Sequence, residues 1–426
     1  MDVMQKKLLV LGGTSASLDV VRVAKSMGVY TLVADDLPGG VSKTIADRAV
    51  QISTVDFPAL KKLIEDEGID GAFCGPSEFN LRNCMRLCGE AGLPFYCTRA
   101  QWDVCSNKES FKQLCRRHGV PCVPDYEIEG DIGTADLSRV RYPVIVKPVD
   151  GCSSKGISVC HGDGELRSAY ACALQYSDAG RALVERYIQN DGIGISVRYI
   201  ACDGEMYLSM VGDRYVVDAR TRKSLISAAA FFPSKYTRKY IEEIDPRAKA
   251  MFRALGIRNG TLFMQALIEN DQIYFHEMGL RLSGGLTYKM TEPLCGVNDV
   301  KMMIRHALGG VMCTDEEKGR ISPWLGGRCA GSLCVPLKCG TISRIQGVEE
   351  ISSLSGVTDF TQYYHEGDAI GQEKIGTLMQ HFGRLKMITE NKRQVIDIID
   401  RVNRTLMILD EHGEDMIYRR FDPSAL

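Results

Sequence analysis

The opening hundred residues alternate short apolar runs with helical stripes, and glycine marks nearly every change of period. Residues 8–11 form an apolar run ending in Gly12-Gly13, after which Leu18, Val21 and Ala24 recur at helical spacing as far as Gly28. Tyr30–Ala34 is a second run; Leu60, Leu63 and Ile64 mark another helix stopped by Gly68, and Gly71–Cys74 is a further run closed by Gly75-Pro76. Parallel strands need crossovers and helices supply them, so this rhythm predicts an open α/β domain with a parallel sheet covered on both faces. A glycine turn after the first strand, with Asp35 about 20 residues on, also invites a dinucleotide reading and an NAD-dependent oxidoreductase. The stretch from Gly12 to Ser17 lacks the third glycine that lets helix and strand approach closely. A structural or substrate-facing turn is therefore the favoured reading.

At 426 residues the chain has material for two or three domains of about 150 residues each. Its formal net charge of -2 provides no overall positive field for nucleic acid or an anionic membrane, so neither is expected as a partner. No apolar stretch approaches the roughly 20 residues that span a bilayer. The first seven residues are polar and charged, and the run that follows is too short for a secretory leader, so a soluble, cytoplasmic protein is expected. The sixteen cysteines include no C-x-x-C pair, and several sit in apolar surroundings, as in Phe73-Cys74 and Val159-Cys160. They read as reduced, buried small hydrophobes.

Beyond Cys105 the texture changes. A helix is expected over 107–118, short strands and glycine loops up to about Leu286, then a helix over 298–308. The last third opens at Pro323-Trp324 and ends in an amphipathic helix whose stripe is Val395, Ile398, Ile399, Val402, Leu406 and Leu409. There is no internal repeat.

Two segments carry chemistry. In the first, residues 142–148 form an apolar strand with Lys147 just before Pro148, and a loop containing Gly151, Ser153, Ser154, Lys155 and Gly156 turns into a second strand. An ammonium on a rigid strand beside backbone N–H groups, hydroxyls and a second cation suits a phosphate. In the second, residues 261–268 and 272–285 form a hairpin. With a three-residue loop over 270–272, Gln265 faces Glu277 and two oxygen ligands share a hard cation; with a two-residue turn, Gln265 faces His276 instead. Arg281, within Arg-Leu-Ser-Gly-Gly, extends this site.

Together, Lys108 in Ser106-Asn107-Lys108-Glu109, Lys147, the 150–156 loop, Glu185 in Leu183-Val184-Glu185-Arg186-Tyr187-Ile188, Glu277 and Arg281 follow the order and spacing of the ATP-grasp superfamily. The chain most resembles carbamoyl-phosphate synthetase large-subunit halves, biotin carboxylase and the amino-acid ligases. The resemblance implies an N-terminal open parallel α/β (pre-ATP-grasp) domain over 1–105 and a two-subdomain ATP-grasp fold over 106–310, with its lid at about 120–190. A C-terminal mixed β/α piece over 311–426 would complete the site. It further implies ATP and Mg²⁺ (or Mn²⁺) as cofactors. Lys108 and Lys147 would lie on the α- and β-phosphates, and Ser153, Ser154, Lys155 and Gly156 would close over the β- and γ-phosphates. Backbone groups near Arg186, Tyr187 and Ile188 would read the adenine, with Glu185 at its amino edge. Gln265 and Glu277 would hold the metal, and Arg281 would steady an acyl phosphate.

The chain departs from the family at two places: Gly279 stands where an asparagine would ligate a second metal, and Gly194 where many relatives carry a glutamate for the ribose. The implied activity is ligation of a small carboxylate to an amine through an acyl phosphate, releasing ADP and phosphate. The alternatives are a carbamoyl-phosphate-synthetase-like enzyme using bicarbonate, or an ATP-binding descendant without turnover. A homodimer is possible. Arg214, Arg220, Arg222 and Lys223 are candidates for substrate recognition, and Glu78, after the Gly75-Pro76 turn, is a candidate for facing the amine.

Overall fold

The computed structural model describes residues 3–128, 131–150, 155–190, 192–217 and 226–426. The first sheet is parallel in the order β3-β2-β1-β4, from β1 (Lys7–Leu11), β2 (Tyr30–Ala34), β3 (Arg48–Val50) and β4 (Gly71–Cys74). Leu8, Leu9, Val10 and Leu11 are all fully buried, the uninterrupted apolar pattern of a strand covered on both faces. Its helices are punctuated as the sequence suggests: Phe57–Glu67 is capped by the Asp56 carboxylate accepting from the Ala59 N–H, and it ends at Gly68 in a left-handed conformation.

The second sheet is antiparallel, β5-β8-β6-β7, from β5 (Asp125–Tyr126), β6 (Val144–Pro148), β7 (Ser158–Cys160) and β8 (Ala182–Arg186). It closes its own small core around Val144, Val146, Leu166 and Val184.

The largest sheet is built from β9 (Ile193–Cys202), β10 (Glu205–Val216), β11 (Ser227–Phe232), β12 (Gly260–Glu269), β13 (Gln272–Leu280) and β14 (Cys329–Pro336) together with two later strands. After β14 come β15 (Gly340–Thr341), β16 (Arg344–Gln346), β17 (Val357–Gln362), β18 (Ala369–Ile370), β19 (His381–Thr389) and β20 (Met407–Leu409). The eight strands run β13-β12-β9-β10-β11-β14-β19-β17. They curl around a cleft, because Arg384 of β19 donates to the Gly284 carbonyl in the loop just after β13, 2.6 Å away. The next-to-last strand of the order thus touches the loop that follows the first.

The sequence reading missed the length of β9 and β10, ten and twelve residues joined at Asp203-Gly204, where short strands were expected. The expected helices form as Lys108–Arg117 and Asp299–Ala307, each opened by an asparagine side-chain cap. The last helix, Lys392–Thr405, buries Val395, Ile398, Ile399 and Val402, whereas Leu406 and Leu409 follow it, Leu409 in β20. The cysteine reading needs one correction: Cys202 and Cys313 form a disulfide, their Cα atoms 5.9 Å apart, a span that a disulfide bridges. The other thirteen described cysteines are free and mostly buried.

Candidate functional site

Lys147 projects from β6, and Glu185 from β8 beside it, where Ile145 pairs with Glu185 and Lys147 with Leu183. The Glu185 carboxylate is bonded on both oxygens: Lys147 Nζ lies 2.7 Å from Oε2 and Lys112 Nζ 2.7 Å from Oε1. Lys112 comes from the helix that Lys108 opens, one turn further on, and is completely buried. Burial draws the Lys147 ammonium below the usual lysine range, Glu185 opposes this, and the Lys112 and Lys108 charges reinforce it. The Lys108 N–H bonds the Val149 carbonyl at 2.8 Å, fastening this helix to the strand end that carries Lys147. Glu185 therefore holds two lysines in place with its side chain.

The hairpin resolves the question of register in an unexpected way. Its turn has two residues, Asn270 and Asp271, both with positive φ (50° and 62°), and Glu269 pairs with Gln272. Uninterrupted pairing from that turn would set Gln265 opposite His276. A bulge intervenes between Gln265 and Ala266: Ala266 pairs with Phe275 and Gln265 with Glu277, leaving His276 as the extra residue. Gln265 and Glu277 thus stand side by side with Ser196 of β9 in the same row. His276 Nε2 is buried with no hydrogen-bond partner. Burial and the surrounding Lys147, Arg214, Lys108 and Lys112 charges push its pKa well below the ordinary histidine value, so the imidazole is neutral.

Gly279 has a steric explanation. It pairs directly with Phe263 across the hairpin, and a Cβ at position 279 would stand 2.5 Å from the Phe263 ring. The ring fills the space an asparagine would take. On its other side the Arg281 guanidinium lies 4.9 Å from the ring centroid, and it bonds Glu78 Oε1 through Nη2 at 2.9 Å and Nε at 3.1 Å. Glu78 is the first residue of the helix Glu78–Ala91 that follows β4. Glu78 is thus a helix-start carboxylate that lines the cleft and is bonded to Arg281. Gly194 is also sterically required, since a Cβ there would collide with the Ala266 carbonyl oxygen.

Of the remaining candidates, Ser153 and Ser154 lie outside the described residues, as do Arg220, Arg222 and Lys223. Lys155 is exposed, and Gly156 has φ +70° with the Tyr176 ring 2.8 Å from where its Cβ would be, so a glycine is needed there. Arg186 bonds Glu269 at 2.6 Å, tying the second sheet to the hairpin tip, and its N–H donates to the Pro124 carbonyl. Tyr187 and Ile188 continue from it along the cleft wall. Alternate residues of β10 divide: Arg214 lines the cleft, whereas Tyr215 packs into the C-terminal core.

The cleft has a volume of about 720 Å³ and gathers Lys108, Lys147, Lys155, Glu185, Arg186 and Gln265 with Glu277 and Arg281. Sequence reasoning missed several of its residues. Lys112 was detectable, since it stands four residues after Lys108 on one helical face. Arg198 of β9 was not, because only the pairing of the long strands brings it to this cleft, whereas Arg384 and Lys386 of β19 lie in the C-terminal piece that the resemblance sets at the site. Among the described residues no helix is long and apolar enough to cross a membrane, and no cluster of three His, Cys, Asp or Glu side chains could hold a metal by itself.

Residues 107–313 match the family model described as carbamoyl-phosphate synthase L chain, ATP binding domain. The chain is 26% identical over 329 residues to the 2-oxoglutarate carboxylase small subunit of Hydrogenobacter thermophilus, covering 72% of this chain and 67% of that one. Among solved structures it resembles the L-amino acid ligase from Bacillus licheniformis, with a TM-score of 0.77 at 18% identity over 96% of this chain and 99% of that one. It also resembles the biotin carboxylase domain dimer of the Hydrogenobacter enzyme in complex with MgADP, ADP and bicarbonate, with a TM-score of 0.76 at 20% identity over 95% of this chain and 91% of that one.

Proposed function

We propose that this chain, an ATP-grasp fold whose residues 107–313 match an ATP-binding domain of carbamoyl-phosphate synthase type, is an ATP-dependent ligase. It phosphorylates a small carboxylate to an acyl phosphate and transfers the acyl group to an amine, releasing ADP and phosphate. The observation that carries this reading is the bulge at His276, which puts Gln265 and Glu277 side by side in the cleft that also holds Lys147.

The donor set fits one divalent ion. Gln265 and Glu277 offer oxygens, the preferred ligands of Mg²⁺ or Mn²⁺, and Phe263 occupies the place of a third protein ligand. Such an ion supplies charge neutralisation at the transferring phosphoryl group. The chain's own residues do the rest. Lys147, aimed by Glu185, and Lys108 take the phosphate charge, and the neutral His276 offers its unpaired Nε2 to a polar ligand without adding charge. Lys155 and Gly156, with Ser153 and Ser154, close over the phosphates and keep water from the acyl phosphate. Arg186, Tyr187 and Ile188 line the nucleotide end. Arg281, whose Nε and Nη2 both donate to Glu78 Oε1, faces the acyl phosphate with its plane fixed by that pair of bonds. A homodimer belongs to this reading; the Hydrogenobacter biotin carboxylase domain it resembles is a dimer, and sedimentation tests it here.

The test is a phosphate-release screen over panels of carboxylates, bicarbonate included, and amines. ADP and phosphate should appear only when both co-substrates are present. Lys147→Ala and Glu277→Ala should each cut the rate by about 100-fold or more. Release from no pair, by protein that still binds ADP and Mg²⁺, would leave a nucleotide-binding descendant without turnover.

A further inference from the structure

At the end of the cleft beyond Arg281 lie three cations that the nucleotide reading does not use. Arg198 donates from Nη1 to Thr287 Oγ1 at 3.2 Å, and its Nε is buried without a partner. Arg384 donates to the Gly284 carbonyl, and Lys386 donates to the Gly285 carbonyl at 2.5 Å and to Ser332 Oγ at 3.1 Å. Every one of these acceptors is neutral. The nearby carboxylate Asp359 is bonded to Lys289 at 2.8 Å, and Asp299, the acid that acts on Arg198, offsets only one of the three charges. Lys386 is 2% exposed, and burial with the Arg384 charge draws its ammonium well below the usual lysine range.

Cations out of water with too few carboxylates beside them are expensive, and hydrogen bonds to carbonyls return only part of that cost. The charge of the whole cleft points the same way. Nine cationic side chains line it against four carboxylates among the described residues. A magnesium–ATP complex brings about two net negative charges and an ordinary carboxylate about one, so positive charge remains after both have bound. That remainder sits at Arg198, Arg384 and Lys386. Arg281 and this cluster line one cleft, and the Arg281 charge acts on Arg198.

We propose that the carboxylate substrate carries a second anionic group, a carboxylate or a phosphate, held by Arg198, Arg384 and Lys386 while its reactive carboxylate faces Arg281. This rests on the ligase reading above and narrows its substrate to dianionic acids. The donors that supply the recognition are the Arg198 Nε–H, the Arg384 N–H groups not given to Gly284 and the third Lys386 proton.

The experiment uses the full chain saturated with ADP and Mg²⁺, titrated calorimetrically with acetate and butyrate against malonate, succinate, glutarate and phosphonoacetate. At least one dianion should bind about tenfold or more tightly than either monoanion. Whether phosphonoacetate or a dicarboxylate wins identifies the second group. Arg384→Gln and Lys386→Met should each erase the advantage, and Arg384→Lys should keep part of it, whereas a role confined to tethering the glycine loop would leave selectivity alone. Equal affinity for mono- and dianions, an advantage that survives both substitutions, or no binding by any acid would overturn the proposal. Failure of ADP and Mg²⁺ to bind in the first titration would instead defeat the ligase reading, so the two failures are told apart.

Discussion

Phe263 and Gly279 are the most instructive pair in the molecule at the scale of single residues. A strand pair usually sets two side chains against each other, but here one ring takes both places and makes a wall against which Arg281 lies. The backbone at Gly279 does not have a positive φ, so the obstacle to a side chain there is the ring alone. Gly279→Asn should therefore destabilise the fold by about 1–3 kcal/mol through overpacking. Phe263→Ala in the same chain should recover much of that loss, and a double-mutant cycle of urea midpoints measures the coupling. If the two substitutions simply add, the ring is not what excludes asparagine. Lys147, Glu277 and Arg281 could be picked out from the sequence because chemistry-bearing residues stood at strand ends beside glycine. Their pairings could not be read: that Lys147 and Lys112 share Glu185, and that Arg281 meets Glu78, are long-range contacts that no local pattern encodes.

At the scale of elements, the hairpin shows where pattern reading stops. Both strands were evident, but their register depended on two unknowns, the turn length and the bulge. The turn alone argues for His276 opposite Gln265, and the bulge reverses the outcome by one residue. The parallel sheet was more legible because glycine closes its runs and helices, and a strand buried on both faces has no alternation to misread. The turn itself can be improved. Asn270 and Asp271 both adopt positive φ, where glycine carries no Cβ penalty, and the Asp271 contact to Lys239 at 3.6 Å is exposed. Asp271→Gly should raise stability by up to about 1 kcal/mol, seen as a higher urea midpoint, with ligase turnover unchanged. A lower midpoint would mean that the turn is held by something other than its backbone preference.

At the scale of the whole molecule, the C-terminal third is part of the site, since β19 lies beside β14 and reaches across to the loop after β13. That strand also sets an acid limit. His381, at its start, is 1% exposed, bonds the Ser227 carbonyl at 2.9 Å, and is held by burial at a pKa of about 4. In the unfolded chain its pKa is about 6.5, so the unfolded state binds a proton that the folded state refuses. Its contribution is therefore intact above about pH 6.5 and drains away towards pH 4, by on the order of 3 kcal/mol. Denaturant midpoints taken across this window should fall steeply for the natural chain and less steeply for His381→Gln; parallel curves would remove His381 as the cause. The meeting of β19 with the glycine loop also bears on how the protein is made. A chain still threading from the ribosome displays Lys108 and Lys147 early, but the cleft has no far wall until β19 has emerged. A copy cut short before residue 381 would therefore present an open trough without Arg384 and Lys386.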